Sequence, residues 1–95
     1  MVAPALLKRV ERELPGWRVE GDQLVGRWNH SDFAGPLAAA VRIGLLAERA
    51  DHHPDLLVSW GRLEVRLTTH SDKTLTVKDV ELASAIQKSL GSPTG

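Results

Sequence analysis

The sequence predicts an α+β domain: a four-stranded antiparallel sheet with three helices on one face, in the order α-β-β-α-β-β-α. Three observations carry this. Apolar residues recur at helical spacing in three segments and alternate in four shorter ones. The alternating segments come in two pairs, each joined by a two-residue turn signal, so each pair is a hairpin. At 95 residues the chain suits one domain, which must layer its helices against its sheet to close a core.

Pro4 fits the first turn of a helix, where its missing N–H needs no partner. Leu6, Val10 and Leu14 follow at spacing four, and Pro15-Gly16 ends the segment. Trp17 and Val19 alternate with Arg18 and Glu20, and Gly21-Asp22 supplies the first hairpin turn. In the second strand Leu24, Gly26 and Trp28 share one face, with Val25 and Arg27 on the other. Ser31 or Asp32 can cap the second helix. Its expected core stripe is Phe33, Leu37, Val41, Gly44 and Leu45, with Ala40 and Ala47 filling in. The period breaks after Ala50, and Pro54 forbids continuation. "LLVSW" and "LEVRLTT" read as strands joined across Gly61-Arg62, with Leu63, Val65, Leu67 and Thr69 on one face and Glu64, Arg66 and Thr68 on the other. Thr76-Val77-Lys78-Asp79 resembles a capping box with Asp in place of the usual Glu. The third helix then buries Leu82, Ala83, Ile86 and Leu90. Residues 1–95 are expected to form a single domain, with the tail, residues 91–95, disordered.

Twelve basic and twelve acidic residues cancel, so nothing global points to nucleic acid. No apolar run approaches the roughly 18 residues of a membrane span. The absence of cysteine removes disulfides and thiolate chemistry, and the start carries no secretory pattern; a cytoplasmic location is expected.

Residues 48–54 read ERADHHP and hold two of the four histidines side by side. The stretch is a metal site, an acid–base site or only the polar end of a helix. Glu48 continues the line of Val41 and Gly44, in a last turn where the helix dipole disfavours an anion. It is either a solvent-facing end residue or a carboxylate that orients an imidazole; one more helical turn would bring it to His52. On a helix His52 and His53 diverge by about 100°, and Pro54 pushes His53 toward extended geometry. The two rings are therefore expected to face different neighbours, which argues against one shared ion. No metal is expected, since the helical His pair and thiolates of familiar cages are absent. His70, at a strand end, is a candidate third imidazole. Neutral-pH imidazoles can donate and accept protons, which suits an elimination or addition of water. His30 is read as polar surface, and Asp79 as a residue serving its helix N-terminus.

At these residues the sequence resembles the pterin-4a-carbinolamine dehydratases. Glu48, His52-His53-Pro54, Trp60, His70 and Asp79 follow that family's spaced pattern, with "SDF" at Ser31-Asp32-Phe33, "LAERADHHP" and "VKDVELASAI" fitting its second and third helices. The resemblance spans roughly residues 15 to 90. It implies removal of water from 4a-hydroxytetrahydropterin to give the quinonoid dihydropterin, in recycling of a tetrahydrobiopterin-type cofactor, with no cofactor of the enzyme's own. By position, it makes His52 and His70 the acid–base pair and His53 a pterin-binding histidine that supports proton removal. Asp51, Thr68, Thr69, His70 and Ser71 become substrate contacts, and Glu48 and Asp79 supports behind them. A departure stands at His30, where the family often has an aromatic, and another at Lys78, where an Arg is common. The resemblance also implies a homo-oligomer, a dimer of dimers. The third helix, with Leu82, Ile86 and Leu90, is the expected second interface. A second reading is a binding protein on the same fold, serving an unidentified protein client: animal relatives double as coactivators, and some photosynthetic relatives are assembly chaperones with altered histidines. Here His52, His53 and His70 are all present.

Overall fold

A computed structural model describes all 95 residues. The elements are α1 (Pro4–Glu13), β1 (Arg18–Glu20), β2 (Gln23–Asn29), α2 (Ala34–Ala50), β3 (Asp55–Ser59), β4 (Arg62–Leu67) and α3 (Val77–Leu90). All strand pairs are antiparallel, in the order β1-β2-β4-β3, so the two predicted hairpins meet along their second strands. The predicted order of elements and the α+β layering both hold.

Register follows from period-two burial. Leu24 lies opposite Leu67, Gly26 opposite Val65 and Trp28 opposite Leu63, and all of the apolar members of this set are buried under the helices. Glu64 and Arg66 take the other face, where they join Arg27, Glu20 and Gln23 in a hydrogen-bonded charge network. Trp17 and Trp28 meet edge to face, ring centroids 5.3 Å apart. Gly26 makes room for them: a Cβ there would come within 2.8 Å of the Trp28 ring and 3.0 Å of the Trp17 ring.

Two expectations about burial fail. The large residues of α2 do not face the sheet. Phe33, just before it, and Leu37, Val41 and Leu45 are 46%, 48%, 59% and 63% exposed, whereas Pro36, Ala39, Ala40, Ile43 and Ala47 are buried. The helix is apolar on both flanks, and its two stripes lie one residue, about 100°, apart. The smaller residues let the helix axis approach the sheet and α3. In α3, Leu82 and Ile86 are buried within the protomer, at 3% and 0% exposure, so they offer no surface for a second interface.

The tail also departs from its expected disorder. β1 pairs only with Gln23–Val25, leaving the edge of β2 open beyond it. Thr94 and Gly95 N–H donate there to Arg27 O at 2.9 Å, and Asn29 N–H donates to Thr94 Oγ1 at 2.8 Å. Trp28 Nε1 donates to Gly91 O. Backbone groups otherwise left open at the sheet edge thus find partners.

Candidate active site

The site forms where α2 ends, β4 ends and α3 begins. α2 stops in a Schellman turn. Asp51 is left-handed (φ 50°, ψ 43°), its N–H donates to Glu48 O at 3.2 Å, and His52 N–H donates to Ala47 O at 3.2 Å. This reversal separates the histidines as their adjacency predicts. His52 turns inward, its side chain 13% exposed, and its Nε2 lies 2.6 Å from Asp79 Oδ1. His53 stays outside, where its Nε2 lies 2.5 Å from Glu48 Oε1. Glu48 does not reach His52, because the helix does not continue for the extra turn that contact would need. Nor does Glu48 face the core; its side chain is 77% exposed.

Asp79 is fully buried. Its Oδ2 closes the capping box by accepting from Thr76 N–H at 3.0 Å, and also accepts from Thr69 Oγ1 at 2.7 Å. Its Oδ1 remains for His52. The capping role and the supporting role are therefore one arrangement, each oxygen taking a part.

Beyond β4, residues 69–74 close a short loop through a Thr69–Thr74 bridge, with Lys73 left-handed at φ 55°. The loop brings His70 to the rim, where its ring has no hydrogen-bond partner in the protein and is open to water. Asp51, His52, His53, Thr68, Thr69, His70 and Ser71 all line one open cleft of about 300 Å³, and Lys78 is the eighth residue in its wall. Every residue expected to contact substrate thus converges on one place. Two of them are already committed, however. Thr69 is 5% exposed and its hydroxyl serves Asp79, while Thr68 Oγ1 donates to Asp22 O at 2.8 Å. Lys78 and Thr76 escaped the sequence reading as site residues. Their signal was present in Thr-x-x-Asp, but a capping box alone does not say that its helix starts against a histidine. His30, expected at the surface, is half-buried toward the N-terminal end of α2, away from the cleft, its Nε2 without a protein partner. No three His, Asp or Glu side chains are grouped to hold a metal ion.

A model of the family described as pterin 4 alpha carbinolamine dehydratase matches residues 3–89. The chain belongs to that family. A protein from Thermosynechococcus vestitus, provisionally named a pterin-4-alpha-carbinolamine dehydratase, is 42% identical over 85 residues, 90% of each chain. One from Thermomicrobium roseum, named likewise, is 37% identical over 79 residues, 83% of this chain and 85% of its own. Among solved structures, a transcriptional coactivator/pterin dehydratase from Brucella melitensis superposes with a TM-score of 0.82 at 27% identity, covering 92% of this chain and 95% of that one. A pterin dehydratase-like protein identified as a RuBisCO assembly factor in the alpha-carboxysome shares the fold, with a TM-score of 0.67 at 19% identity over 81% of this chain and 92% of its own. No helix is long and apolar enough to cross a membrane.

Proposed function

We propose that this pterin carbinolamine dehydratase family member removes water from a 4a-hydroxytetrahydropterin by histidine acid–base catalysis, as part of recycling a tetrahydrobiopterin-type cofactor. One observation carries the reading: His52, His53 and His70 line a single cleft, and a buried carboxylate holds the first of them from behind. The reaction needs little else. As the C4a–O bond breaks, an acid gives its proton to the departing hydroxyl, which leaves as water. The N5 lone pair closes the C4a=N5 double bond, and a base then takes the N5 proton, leaving the quinonoid dihydropterin. His52 and His70 are the pair for these two transfers. His53, at the rim and braced by Glu48, holds the pterin and assists proton removal. Asp51 and Ser71 are placed to bind its polar edge. Neither step calls for a metal or an organic cofactor.

The test is a stopped-flow assay with chemically generated 4a-hydroxytetrahydropterin. Acceleration over buffer supports the reading. A well-folded protein with no acceleration would instead favour a binding or assembly role on the same fold.

The protomer is also proposed to assemble with copies of itself, through surfaces other than the α3 face. Phe33, Leu37, Val41 and Leu45 stand one turn apart along the outer side of α2, each about half exposed or more. Contiguous apolar surface of this kind marks an interface. Gly44 lies beside them, and a Cβ at that position would meet nothing within 4 Å. A glycine there costs helix stability and relieves no crowding inside the protomer. Close approach of a second helix would use it. β3 is an edge strand with Leu57 59% exposed, and its pairing across a two-fold axis would supply the other contact of a dimer of dimers.

A further inference from the structure

Behind His52, three side chains form a closed chain of hydrogen bonds. Asp79 Oδ2 accepts from Thr69 Oγ1 at 2.7 Å and from Thr76 N–H at 3.0 Å, while Oδ1 lies 2.6 Å from His52 Nε2. Thr69 Oγ1 also lies 2.7 Å from Thr76 Oγ1, which in turn accepts from Lys78 N–H at 3.3 Å.

With Asp79 ionised and His52 neutral, the protons in this chain have one consistent placement. Asp79 as a carboxylate can only accept. Thr69 has one hydroxyl proton, and the carboxylate takes it. The contact between the two hydroxyls must then be donated by Thr76. That leaves the Thr76 oxygen to accept from Lys78 N–H, as its position allows. At the far end, the contact with Asp79 Oδ1 requires the proton of His52 to sit on Nε2. His52 Nδ1 bonds nothing in the protein and is not among the buried polar atoms left without a partner.

We propose that Thr69 and Thr76 are positioning residues for His52. Through Asp79 they hold its ring in the Nε2–H tautomer and leave Nδ1 as the acceptor open to the cleft. Thr69 is therefore a support rather than a substrate contact, and Thr76 acts on the site although it does not line the cleft. A neutral His52 held this way offers a lone pair, which suits the group that takes the N5 proton. His70, whose ring no protein group holds, is then left to protonate the departing hydroxyl. The kinetic consequence rests on the dehydratase reading; the tautomer does not.

Long-range ¹H–¹⁵N correlation of the histidine side chains, followed over pH to the neutral ring, tests the tautomer directly. In the unaltered protein His52 is expected to carry its proton on Nε2 alone. Thr69→Val and Thr76→Ala are each expected to give mixed tautomers. They should also lower kcat about tenfold, the lower end of what partners behind a working histidine contribute, with KM changed less than about twofold. Thr76→Ser should restore both signals. A proton on Nδ1, or a mixture, in the unaltered protein overturns the proposal without any variant. So do folded variants in which tautomer and kcat are both unchanged. An unaltered protein that does not accelerate the dehydration, yet shows an Nε2–H tautomer that Thr69→Val disturbs, supports the positioning chain and sinks the dehydratase reading instead.

Discussion

Glu48 Oε1 lies 2.5 Å from His53 Nε2, and both side chains are open to water, at 77% and 56% exposure. Water and salt screen such a contact, which contributes at most about 1 kcal/mol. Glu48→Gln is therefore expected to change kcat/KM by less than about fivefold, with a smaller effect at high ionic strength. The fully buried Asp79 should behave differently, because Asp79→Ala strips His52 of its only side-chain partner and Thr76 N–H of its cap. A rate loss for Glu48→Gln equal to that of Asp79→Ala would contradict this ranking.

His52→Ala and His70→Ala are each expected to lower turnover by roughly 10²–10⁴-fold, the range of a positioned acid or base. Circular dichroism should be unchanged for His70→Ala, whose ring makes no contact that the fold depends on. Near-normal rates in both variants would remove these residues from the chemistry.

The layering, the register of the first hairpin and the inward face of α3 were legible because period-two and period-3.6 patterns there had a single apolar face. The second hairpin turns one residue earlier than expected, at Trp60-Gly61, with Ser59 opposite Arg62. α2 was not legible, because both of its flanks are apolar and sequence gives no rule for which is inside. Choosing the larger side chains selected the stripe that the protomer leaves exposed. The cleft was legible as a set of residues through the spaced histidine pattern, but its internal pairing was not. Whether Glu48 meets His52 or His53 depends on one left-handed residue, Asp51, and an aspartate at a helix end does not by itself announce that conformation. The fate of Thr69 depends on the approach of α3, a contact between segments that no local pattern encodes.

Dialysis against a strong chelator is expected to leave dehydration unchanged. The proposed steps move only protons, and the three imidazoles, although they line one cleft, are not grouped to share an ion: His52 Nε2 is held by Asp79, His53 Nε2 by Glu48, and His70 is open to water. A stoichiometric metal by elemental analysis, with activity lost on its removal and regained on its return, would refute this.

Acid should weaken the sheet through Glu64. Hydrogen bonds from Arg66 first, and from Arg27, hold its carboxyl below the ordinary carboxylate range. A folded-state value lowered in this way stabilises the protein above the unfolded value, about 4.3. The stabilisation is lost as pH falls through the lower folded value. Arg27 and Arg66, shifted upward from a value already high, stay charged throughout. Glu64→Gln is thus expected to cost about 1 kcal/mol at pH 7, a surface-type magnitude for a pair at the rim of water. The gap should narrow in urea titrations as pH falls below the unfolded value, about 4.3. A gap that stays constant with falling pH would show that the charge contributes nothing.

The outer face of α2 gives the sharpest test of assembly. Leu37 and Val41 are 48% and 59% exposed in the protomer, so replacing both by Lys removes little from its core and keeps good helix formers in place. If copies meet there, Leu37→Lys with Val41→Lys should lower the mass measured by light scattering at micromolar concentration, while circular dichroism stays unchanged. Gly44→Ala separates the interface from the helix. Within one protomer the change should stabilise, by up to about 1 kcal/mol, because alanine is the better helix former and the space is open. At a close helix crossing the added methyl would instead push the partner away, so the protein should dissociate at lower dilution even though each protomer is more helical. A monomer mass for the unaltered protein, together with simple stabilisation by Gly44→Ala, would remove the α2 interface and leave four half-exposed apolar side chains in water with no physical reason for their row.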